Sequence, residues 1–365
     1  MAVGPAVGPI TYFASSVLLF LLAYLVILVE QSIGSYFIAL CFACAGVYVA
    51  AKLIPYGRVN PQGRAVFITG CDTGFGHGLA HRLDKLGFKV FAGCLAPDGE
   101  DARRLVAKSS KRLVAIPCDV TSDGAVGSAK DFVIKHLSES KQELYAVVNN
   151  AGIWRWSEIE WASMEMYQTL YDVNVKGTIR VTKAFLPIIR RNKGRIVNVG
   201  SIGGLYTTPC NAPYCMTKYA LECFTDSLRC EMYKWGVKVA IIEPGQYGIC
   251  TAIKTYLNDY PDRLWQAMDT ITRNDYGRDY VERWHKFNEN GVAASYPDPS
   301  PVVDAMVDAV TSTHPKHRYI VGGLLMTYLQ VYWNMMLPSW LTDRQYIKFG
   351  ESVATPAALI KSKSS

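Results

Sequence analysis

Tyr214 and Lys218 are the residues whose types and spacing point most directly to chemistry. They stand four positions apart in the run PYCMTKYALECF, so a helix places them on one face with the ammonium group near the phenol. A free phenol titrates near ~10, which is too high for a base at neutral pH. A neighbouring ammonium stabilises the phenolate and lowers this pKa. The pair is therefore a candidate acid and base for moving a proton to or from an oxygen.

Ser201 adds a third polar group to this candidate pair. It follows the apolar run 195–199 and stands before Tyr214 in the chain. Its hydroxyl can donate a hydrogen bond to a carbonyl oxygen and hold that oxygen beside the phenol. A Tyr-x-x-x-Lys spacing alone means little, because short motifs recur by chance. Its weight depends on the motifs that accompany it.

A glycine-rich stretch, AVFITGCDTGFGHGLAHRL at 65–83, joins an apolar run to an amphipathic one. Gly70, Gly74 and Gly76 fall at the joint. Bare backbone in that position lets N–H groups approach a pyrophosphate, whose charge the start of a helix stabilises. A tight turn with close packing is the alternative use of the same glycines. The stretch predicts a dinucleotide site only if the rest of such a site follows.

Polar groups that would complete a dinucleotide site do follow in order. Asp119 comes after the third apolar run, where its carboxylate can accept a hydrogen bond from an adenine amino group or cap a helix. The run NNAG at 149–152 comes after the fourth, where amides can brace the strands and small residues leave room for a ribose. Asn174 stands within a helix-like segment, an unfavourable place for asparagine unless it has a polar role.

Short apolar runs alternate with longer amphipathic ones from Arg64 onward. The runs are rich in Val, Ile and Phe, as strands covered on both faces are. This alternation indicates an α/β protein with a doubly wound parallel sheet of Rossmann type. The predicted strands are 65–69, 89–93, 113–117, 144–148, 195–199, 238–243 and 318–321. The predicted helices are 75–86, 101–107, 123–138, 163–191 and 212–233.

Two long uncharged apolar runs open the chain. Residues 10–29 and 33–51 are each long enough to cross a hydrocarbon core as a helix. Lys52 and Arg58 follow the second run, so the positive-inside rule places the main domain in the cytoplasm. We expect 1–59 to be a membrane anchor, a transmembrane helical hairpin with both ends cytoplasmic. A single span with a second, buried or interfacial helix is the alternative.

The C-terminal third departs from the alternation of strands and helices. Residues 248–295 are aromatic and charged, and an insertion of that length is typical of a substrate lid. The uncharged run 322–340 fits a core helix, a membrane-contacting helix or a wall of an apolar pocket. We therefore expect a Rossmann domain over 60–325 that includes the lid, and an apolar C-terminal helix with a tail over 326–365.

Composition argues against other classes of partner. The net charge of +7 over 365 residues is spread along the chain, without the basic block that nucleic-acid binding favours. The ten cysteines show neither disulfide nor zinc-finger spacing, so we expect reduced thiols and no metal site. The expected partners are a small molecule and membrane lipid, with no nucleic acid.

From about residue 63 to 325 the chain resembles the short-chain dehydrogenase/reductase family. The resemblance implies reversible hydride transfer between a nicotinamide and an alcohol or ketone, and a homodimer built through two long helical segments. Members that have lost catalysis usually lack the tyrosine or the lysine, so a silent dinucleotide-binding scaffold is only a remote alternative. The family's motifs are present as Thr69-Gly70-x-x-x-Gly74-x-Gly76, Asp119, Asn149-Asn150-Ala151-Gly152, Asn174, Ser201, Tyr214-x-x-x-Lys218 and Pro244-Gly245.

The resemblance also implies a role for each residue. Tyr214 is then the acid/base, and Lys218 lowers its pKa and holds the cofactor ribose. Ser201 steadies the substrate oxygen, and Asn174 holds a water that relays the proton. The residues implied in cofactor binding are Gly70, Thr73, Gly74, Phe75, Gly76, Cys94, Asp119, Val120, Asn150, Ala151, Gly152, Tyr214, Lys218, Pro244, Gly245 and Tyr247.

Within the family, the runs TGCDTGFG, VFAGCL, FLPIIRRNKGRIVN and WGVKVAIIEPG are similar to one branch. That branch holds mitochondrial D-3-hydroxybutyrate dehydrogenase, the type 2 17β- and 11β-hydroxysteroid dehydrogenases and the retinol dehydrogenases. One departure concerns the family's Pro-Gly-x-x-x-Thr, where Ile249 stands at the expected threonine and Thr251 lies two residues on. Which group meets the nicotinamide carboxamide is left open.

The end of the second predicted strand bears on the choice between NAD and NADP. An acidic residue there binds the ribose 2′-hydroxyl of NAD, and an arginine accepts the 2′-phosphate of NADP. The run CLAP at 94–97 offers neither. We expect NAD, because a phosphate without a cation is costly to bury. Arg103 and Arg104, on the next predicted helix, keep NADP as the alternative.

The predicted substrate pocket lies beyond the strand ends. A membrane anchor favours a hydroxy-lipid such as a steroid or retinoid, because such a substrate partitions into lipid. The expected location is then the endoplasmic reticulum membrane with the catalytic domain facing the cytosol, and a mitochondrial membrane is the alternative. The residues expected to line the pocket are Trp154, Trp156, Leu205, Tyr206 and Tyr247.

The alternative substrate is a ketone-body acid, as for a D-3-hydroxybutyrate dehydrogenase-like enzyme. Such a substrate needs a cation for its carboxylate. The candidates are Arg155, Lys254 and Arg263, although each is more often a solvated surface charge.

Overall fold

The structure is a computed structural model that describes residues 42, 44, 57–251, 257, 259–322 and 325–364. One compact unit comprises Met1–Val59 with Ser312–His314, and its described residues include an antiparallel bridge from Arg58 to Ser312. The other comprises Asn60–Thr311 with Pro315–Ser365. The two apolar runs predicted to span a membrane lie outside the described residues, apart from helical positions 42 and 44. No helix within the described ranges is long and apolar enough to span a bilayer.

A parallel sheet of seven strands forms the centre of the second unit. Its spatial order is β3-β2-β1-β4-β5-β6-β7, and every neighbouring pair is parallel. The predicted strands are confirmed, with ends that shift by one residue. Their bounds are β1 Arg64–Thr69, β2 Lys89–Cys94, β3 Leu113–Pro117, β4 Glu143–Asn149, β5 Arg195–Val199, β6 Lys238–Pro244 and β7 Arg318–Val321.

Helices cover both faces of this sheet, which explains why the strands are apolar throughout. On one face, buried side chains of three helices pack on the sheet, namely α3 (Asp123–Ser140), α5 (Thr178–Arg191) and α6 (Ala212–Tyr233). The Phe67 and Phe185 rings stack there at 4.6 Å. The first six helices are α1 Gly74–Lys85, α2 Glu100–Ala107, α3 Asp123–Ser140, α4 Met164–Tyr171, α5 Thr178–Arg191 and α6 Ala212–Tyr233. The others are α7 Tyr260–Ala267, α8 Thr270–Tyr276, α9 Arg278–Ala293, α10 Ser300–Thr311, α11 Leu325–Met336, α12 Ser339–Val353 and α13 Ala357–Ser364.

The strand order creates a crevice between β1 and β4. The chain winds outward from β1 to β2 and β3, and then returns to place β4 on the other side of β1. The connections at the carboxyl ends of these two central strands therefore diverge to opposite faces of the sheet. Such a switch point is where doubly wound folds bind ligands.

The single helix predicted over 163–191 is interrupted in the structure. A π-helical segment, Asp172–Gly177, separates α4 from α5. Asn174 lies in this segment and is fully buried. A π segment widens one helical turn and often marks a functional site. The interruption follows from the polar partners that Asn174 finds across the fold, which local sequence periodicity does not reveal.

The region predicted to be a lid folds into helices α7 to α9. Their buried aromatic side chains form a cluster with Trp156 and Trp161, and the hydroxyl of Tyr260 donates to the Trp156 carbonyl at 2.7 Å. Tyr280 also donates to the Glu158 carboxylate. The described part of this segment is therefore a packed helical layer with its own apolar core.

Helix α11, from the uncharged C-terminal run, serves more than one of the predicted uses. Val331 is buried against Ile202 and Ile320 as a core residue. Gln330 lines the cavity described below. Leu329 and Trp333 are about half exposed. The core and pocket-wall alternatives thus fall on different faces of one helix, and membrane contact through its exposed side chains stays a prediction.

Candidate active site

The glycine loop between β1 and α1 brings backbone close to the end of β4. Gly70 has φ +67°, and a Cβ at this position would lie 2.9 Å from the Cα of Ala151. A Cβ on Gly76 would lie 2.4 Å from both the Asn150 side-chain amide and the Gly70 carbonyl oxygen. These two glycines are therefore required by close packing. Gly70 also lines the cavity, whereas Gly76 is not among its lining residues.

Asn150 and Thr69 hold the ends of the two central strands together. The Asn150 side-chain amide donates to the carbonyl oxygens of Thr69 and Gly70, both at 2.9 Å. The Thr69 hydroxyl accepts from the backbone N–H groups of Asn150 and Ala151, both at 3.0 Å. This bracing role agrees with the reading of the NNAG run and fixes the floor of the crevice.

The N-terminus of α1 is open toward this crevice. Its N-cap residue, Thr73, is extended and makes no side-chain capping bond, and the first turn has no acidic residue. The N–H groups of such a turn are free to bind an anion. Thr73, Gly74 and Phe75 all line the cavity, as predicted for a pyrophosphate site.

Asp119 lies at the end of β3 and lines the same cavity together with Val120 and Thr121. Its Oδ1 accepts from the N–H (2.8 Å) and the hydroxyl (2.7 Å) of Thr121. The alternative role as a helix cap falls to Ser122, whose side chain accepts from the Ala125 N–H at the start of α3. Asp119 therefore lines the cavity without capping α3, and its contact with an adenine stays a prediction.

Asp72 is a charged residue of the cavity that the sequence reasoning missed. Its carboxylate accepts from the backbone N–H groups of Leu95 (3.0 Å) and Ala96 (2.9 Å). All three residues line the cavity at the end of β2. Cys94, which was implied in cofactor binding, is instead fully buried and is not a lining residue. The sequence signal that could have identified Asp72 was its position inside the glycine-rich loop.

Tyr214 and Ser201 meet at the base of the cavity. Burial raises the pKa of Tyr214, and the nearby Ser201 hydroxyl lowers it by a smaller amount. The predicted lowering of the Tyr214 pKa is therefore not produced by the protein residues alone, because burial removes the water that would solvate a phenolate.

Lys218 lies one helical turn beyond Tyr214. Its Nζ is 5.6 Å from the Tyr214 ring centroid and donates to the Val199 carbonyl at 3.0 Å. Burial lowers the pKa of Lys218 to about 8, and Glu222 acts in the opposite direction. The lysine therefore loses its proton at a lower pH than a free lysine does, but it is mostly an ammonium ion at neutral pH.

Asn174 lies near Lys218, on the other side of Gly152. Its Oδ1 accepts from the Ile153 N–H at 2.8 Å, and its Nδ2 donates to the Ile153 carbonyl (2.9 Å) and the Thr217 hydroxyl (3.0 Å). A Cβ on Gly152 would lie 3.3 Å from Asn174 Oδ1 and 3.7 Å from Lys218 Nζ. Asn174 is close to Lys218 but is not among the cavity-lining residues, so its water-holding role stays a prediction.

One continuous cavity of about 900 Å³ joins these groups to an apolar chamber. Trp154 lies on its wall, with its indole N–H donating to Asn211 at 3.1 Å. Tyr206 and Tyr247 also line it, as predicted. The lid and helix α11, both considered as pocket elements from the sequence, and helix α12, which was not, supply another part of the wall. Its residues are Trp284, Phe287, Asn288, Gly291, Val292, Gln330, Gln345, Tyr346 and Phe349.

Two predicted pocket residues lie elsewhere. Trp156 is fully buried in the aromatic cluster of the lid, with its ring centroid 5.5 Å from that of Tyr260. Leu205 packs with Ile202, Ile320 and Val331 beneath the cavity. Both expectations need correction, because packing of distant elements and not proximity to a strand end decides which side chains reach the chamber.

The departure from the family's Pro-Gly-x-x-x-Thr pattern has a structural counterpart. Pro244, Gly245, Tyr247 and Thr251 all line the cavity. The Thr251 hydroxyl donates to the Gly248 carbonyl at 3.0 Å, across the short 3₁₀ turn Gly248–Cys250. That turn brings Thr251 to the cavity two residues later than the family pattern places it, which makes Thr251 the candidate for contact with a carboxamide.

The charges on the cavity wall are few. Among the described residues that line it, Lys218 is the one cation, and Asp72 and Asp119 are the anions. Arg155 and Arg263, candidates for a substrate carboxylate, do not line it, and Arg263 pairs with Asp259 at 3.2 Å. Lys254 lies outside the described residues.

Comparison with known proteins agrees with this geometry. Residues 64–260 match the model of the short chain dehydrogenase family. The chain is 38% identical to bovine (Bos taurus) mitochondrial D-beta-hydroxybutyrate dehydrogenase over 82% of its own length and 90% of the relative's. It is 37% identical to mouse (Mus musculus) retinol dehydrogenase 7, over 77% of this chain and 87% of that protein. It is also 37% identical to mouse estradiol 17-beta-dehydrogenase 2, over 81% and 77%.

Solved structures share the fold. A short chain dehydrogenase/reductase from Burkholderia phymatum, crystallised in complex with NAD, superposes with a TM-score of 0.61 at 19% identity, covering 75% of this chain and 93% of that one. The protein described here belongs to the short chain dehydrogenase family, and it is an oxidoreductase of the class that acts on alcohol groups.

Proposed function

We propose that this protein is a membrane-anchored, NAD-dependent dehydrogenase of a neutral hydroxy-lipid such as a steroid or a retinoid. The observation that carries the proposal is the composition of the cavity wall. Aromatic and aliphatic side chains enclose the substrate side, and Lys218 is the one cation among the described lining residues. Among the described lining residues a buried carboxylate would find no cation other than a catalytic one, which is unfavourable.

The proposed preference for NAD is supported by Asp72. Its carboxylate is held at the end of β2 by the Leu95 and Ala96 N–H groups. A negative charge at this place repels a 2′-phosphate and can accept from a ribose hydroxyl. Arg104 is paired with Glu100 at 2.8 Å, and neither it nor Arg103 lines the cavity.

The residues present fit a dinucleotide along the crevice. The open N-terminus of α1 would hold the pyrophosphate, Asp119 the adenine, and Lys218 the ribose next to the nicotinamide. When bound, the nicotinamide supplies the hydride acceptor or donor. Ser201 would hold the substrate oxygen by a hydrogen bond, and Tyr214 would take or give the proton of that oxygen at its phenol. Lys218 and the positive nicotinamide would offset the effect of burial on the phenol.

The test is a substrate comparison on full-length protein in detergent. NAD reduction is followed by absorbance with estradiol, retinol and D-3-hydroxybutyrate as separate substrates, and with NADP in place of NAD. We expect turnover of estradiol or retinol with NAD. Turnover of D-3-hydroxybutyrate alone would reject the lipid assignment.

The second candidate is a D-3-hydroxybutyrate dehydrogenase-like activity. The identity of 38% to the bovine enzyme over 90% of that enzyme's length favours it. Lys254 could supply the cation for the carboxylate in that case. A membrane location, in the endoplasmic reticulum for the lipid enzyme or in the mitochondrion for the alternative, is supported by the apolar runs 10–29 and 33–51 of the sequence.

A further inference from the structure

A buried cluster of charges lies directly behind the catalytic lysine. Glu222 stands one helical turn after Lys218 on α6, and Glu243 lies on β6 beside it. Arg318 of β7 donates through Nη1 to both carboxylates, at 2.7 Å for Glu243, and through Nη2 to Asp226 at 2.6 Å. Glu243 is fully buried and Glu222 is nearly so. Two carboxyl groups in the interior therefore share one guanidinium.

The hydrogen bonds of the two carboxyl groups leave one oxygen of each unsatisfied. Glu222 Oε1 and Glu243 Oε2 are buried, and neither has a donor among the residues that the structure describes. Both side chains accept from the same nitrogen, Arg318 Nη1, so the two carboxyl groups lie side by side. Two ionised carboxylates cannot hydrogen-bond, since both are acceptors. A single proton between them would satisfy both orphaned oxygens.

The charge balance of the cluster points the same way. The other charged groups near the pair are Lys218, Asp226 and Arg229 on α6, of which Asp226 and Arg229 pair with one another at 2.7 Å, and His317 next to Arg318. Among the described residues, Arg318 is the one guanidinium that hydrogen-bonds to the two carboxyl groups, and by itself it balances one of them. Burial and the neighbouring Glu222 together raise the pKa of Glu243 to about 8, against the opposing effect of Arg318. Such a pair retains a proton at neutral pH.

The cluster contacts the catalytic site through the end of β5. Lys218 Nζ donates to the Val199 carbonyl at 3.0 Å. The next residue is Gly200, which lines the cavity, and a Cβ there would lie 3.0 Å from Glu222 Oε1. The Glu222 carboxylate and the Lys218 ammonium group therefore both lie beside the backbone of Val199 and Gly200. The Glu222 carboxylate also favours the charged form of Lys218 and acts to raise its pKa.

We propose that Glu222 and Glu243 share one proton, and that the single negative charge left on the pair keeps Lys218 as an ammonium ion. Glu222 is then a positioning residue, because it acts on the reaction through Lys218 and touches neither substrate nor cofactor. The catalytic part of this inference rests on the proposed function. The sharing of the proton does not.

The shared proton is tested by infrared spectroscopy of the full-length protein in detergent. Surface carboxyl groups are ionised by pH 6, so a difference spectrum between pH 6 and pH 9 isolates carboxyl groups that lose a proton late. We expect the wild type to lose one protonated-carboxyl band, and both Glu222→Gln and Glu243→Gln to lack it. A wild type without that band overturns the proposal, whether or not either variant folds and whether or not any substrate is turned over.

The effect on Lys218 is tested by the pH profile of kcat with NAD and the preferred alcohol. In Glu243→Gln the negative charge stays on Glu222, so the alkaline limb should lie at the higher pH of the two glutamine variants. In Glu222→Gln the charge moves to Glu243, and the limb should shift to lower pH by about one unit, the low end for loss of a nearby opposite charge. Asp226→Asn, which removes the other carboxylate of Arg318, is the control and should not shift the limb. Identical limbs in the two glutamine variants would overturn the link to Lys218.

Discussion

The stability of the protein should depend on pH through the Glu222–Glu243 pair, and Glu243→Gln should remove that dependence. Burial raises the pKa of Glu243 to about 8 in the folded protein, while the unfolded chain has a value near ~4.3. Between these values the folded state holds a proton that the unfolded state has released. The free energy of unfolding therefore falls as pH rises through this window, and it levels off above pH 8.

The magnitude follows from one proton. The slope is about 1.4 kcal/mol per pH unit, so raising the pH from 5.5 to 7.5 should cost the wild type about 2.7 kcal/mol at this site. In Glu243→Gln the amide takes the place of the protonated carboxyl and donates to Glu222 Oε1. The remaining Glu222 carboxylate faces Arg318 and stays ionised. The variant should match the wild type near pH 5.5 and exceed its stability at pH 7.5.

The assay is urea unfolding of full-length protein in detergent, followed by tryptophan fluorescence at several pH values. The quantity of interest is the difference between wild type and variant, because other titrating groups contribute equally to both. Asp226→Asn is the control, since this carboxylate is 43% exposed on its side chain and solvent screens it. Parallel stability curves for wild type and Glu243→Gln would refute the shared proton.

Three further predictions concern the active site. Tyr214→Phe should lower kcat by about 10²–10⁴-fold, the usual range for a lost acid/base, with unchanged binding of NADH by fluorescence titration; full turnover would exclude the phenol as proton donor. Gly70→Ala should weaken NADH binding at least ~10-fold, because its Cβ would lie 2.9 Å from the Ala151 Cα. Gly63→Ala is its control, with φ +75° but no atom within 4 Å of the Cβ, and equal effects of the two changes would contradict the packing argument. Asp72→Asn should raise the kcat/KM ratio of NADP to NAD about 10-fold by removing the repelling charge, and an unchanged ratio would place the selectivity elsewhere.

Much of the fold could be predicted from the sequence because its signals are local. Continuous apolar runs bounded by glycine and polar residues predict buried parallel strands, and β1 to β7 lie where those runs are. The spacing of Tyr214 and Lys218 holds because a regular helix, α6, carries both. The glycine loop could also be predicted from its own residues. Gly70 and Gly76 allow close contacts with Asn150, Ala151 and the loop backbone that any side chain would block.

What only the tertiary structure decided is which distant groups meet. Trp156 and Trp284 both belong to one buried aromatic cluster, yet of the two only Trp284 also lines the cavity, because the elements packed around each ring decide what it reaches. The sign of the Tyr214 pKa shift depends on burial by several elements, which outweighs a neighbour four residues away. Glu222, Glu243 and Arg318 are far apart in sequence and become one charge cluster only when α6, β6 and β7 come together. Periodicity records which face of an element is buried, whereas electrostatics and cavity shape depend on every element packed against it.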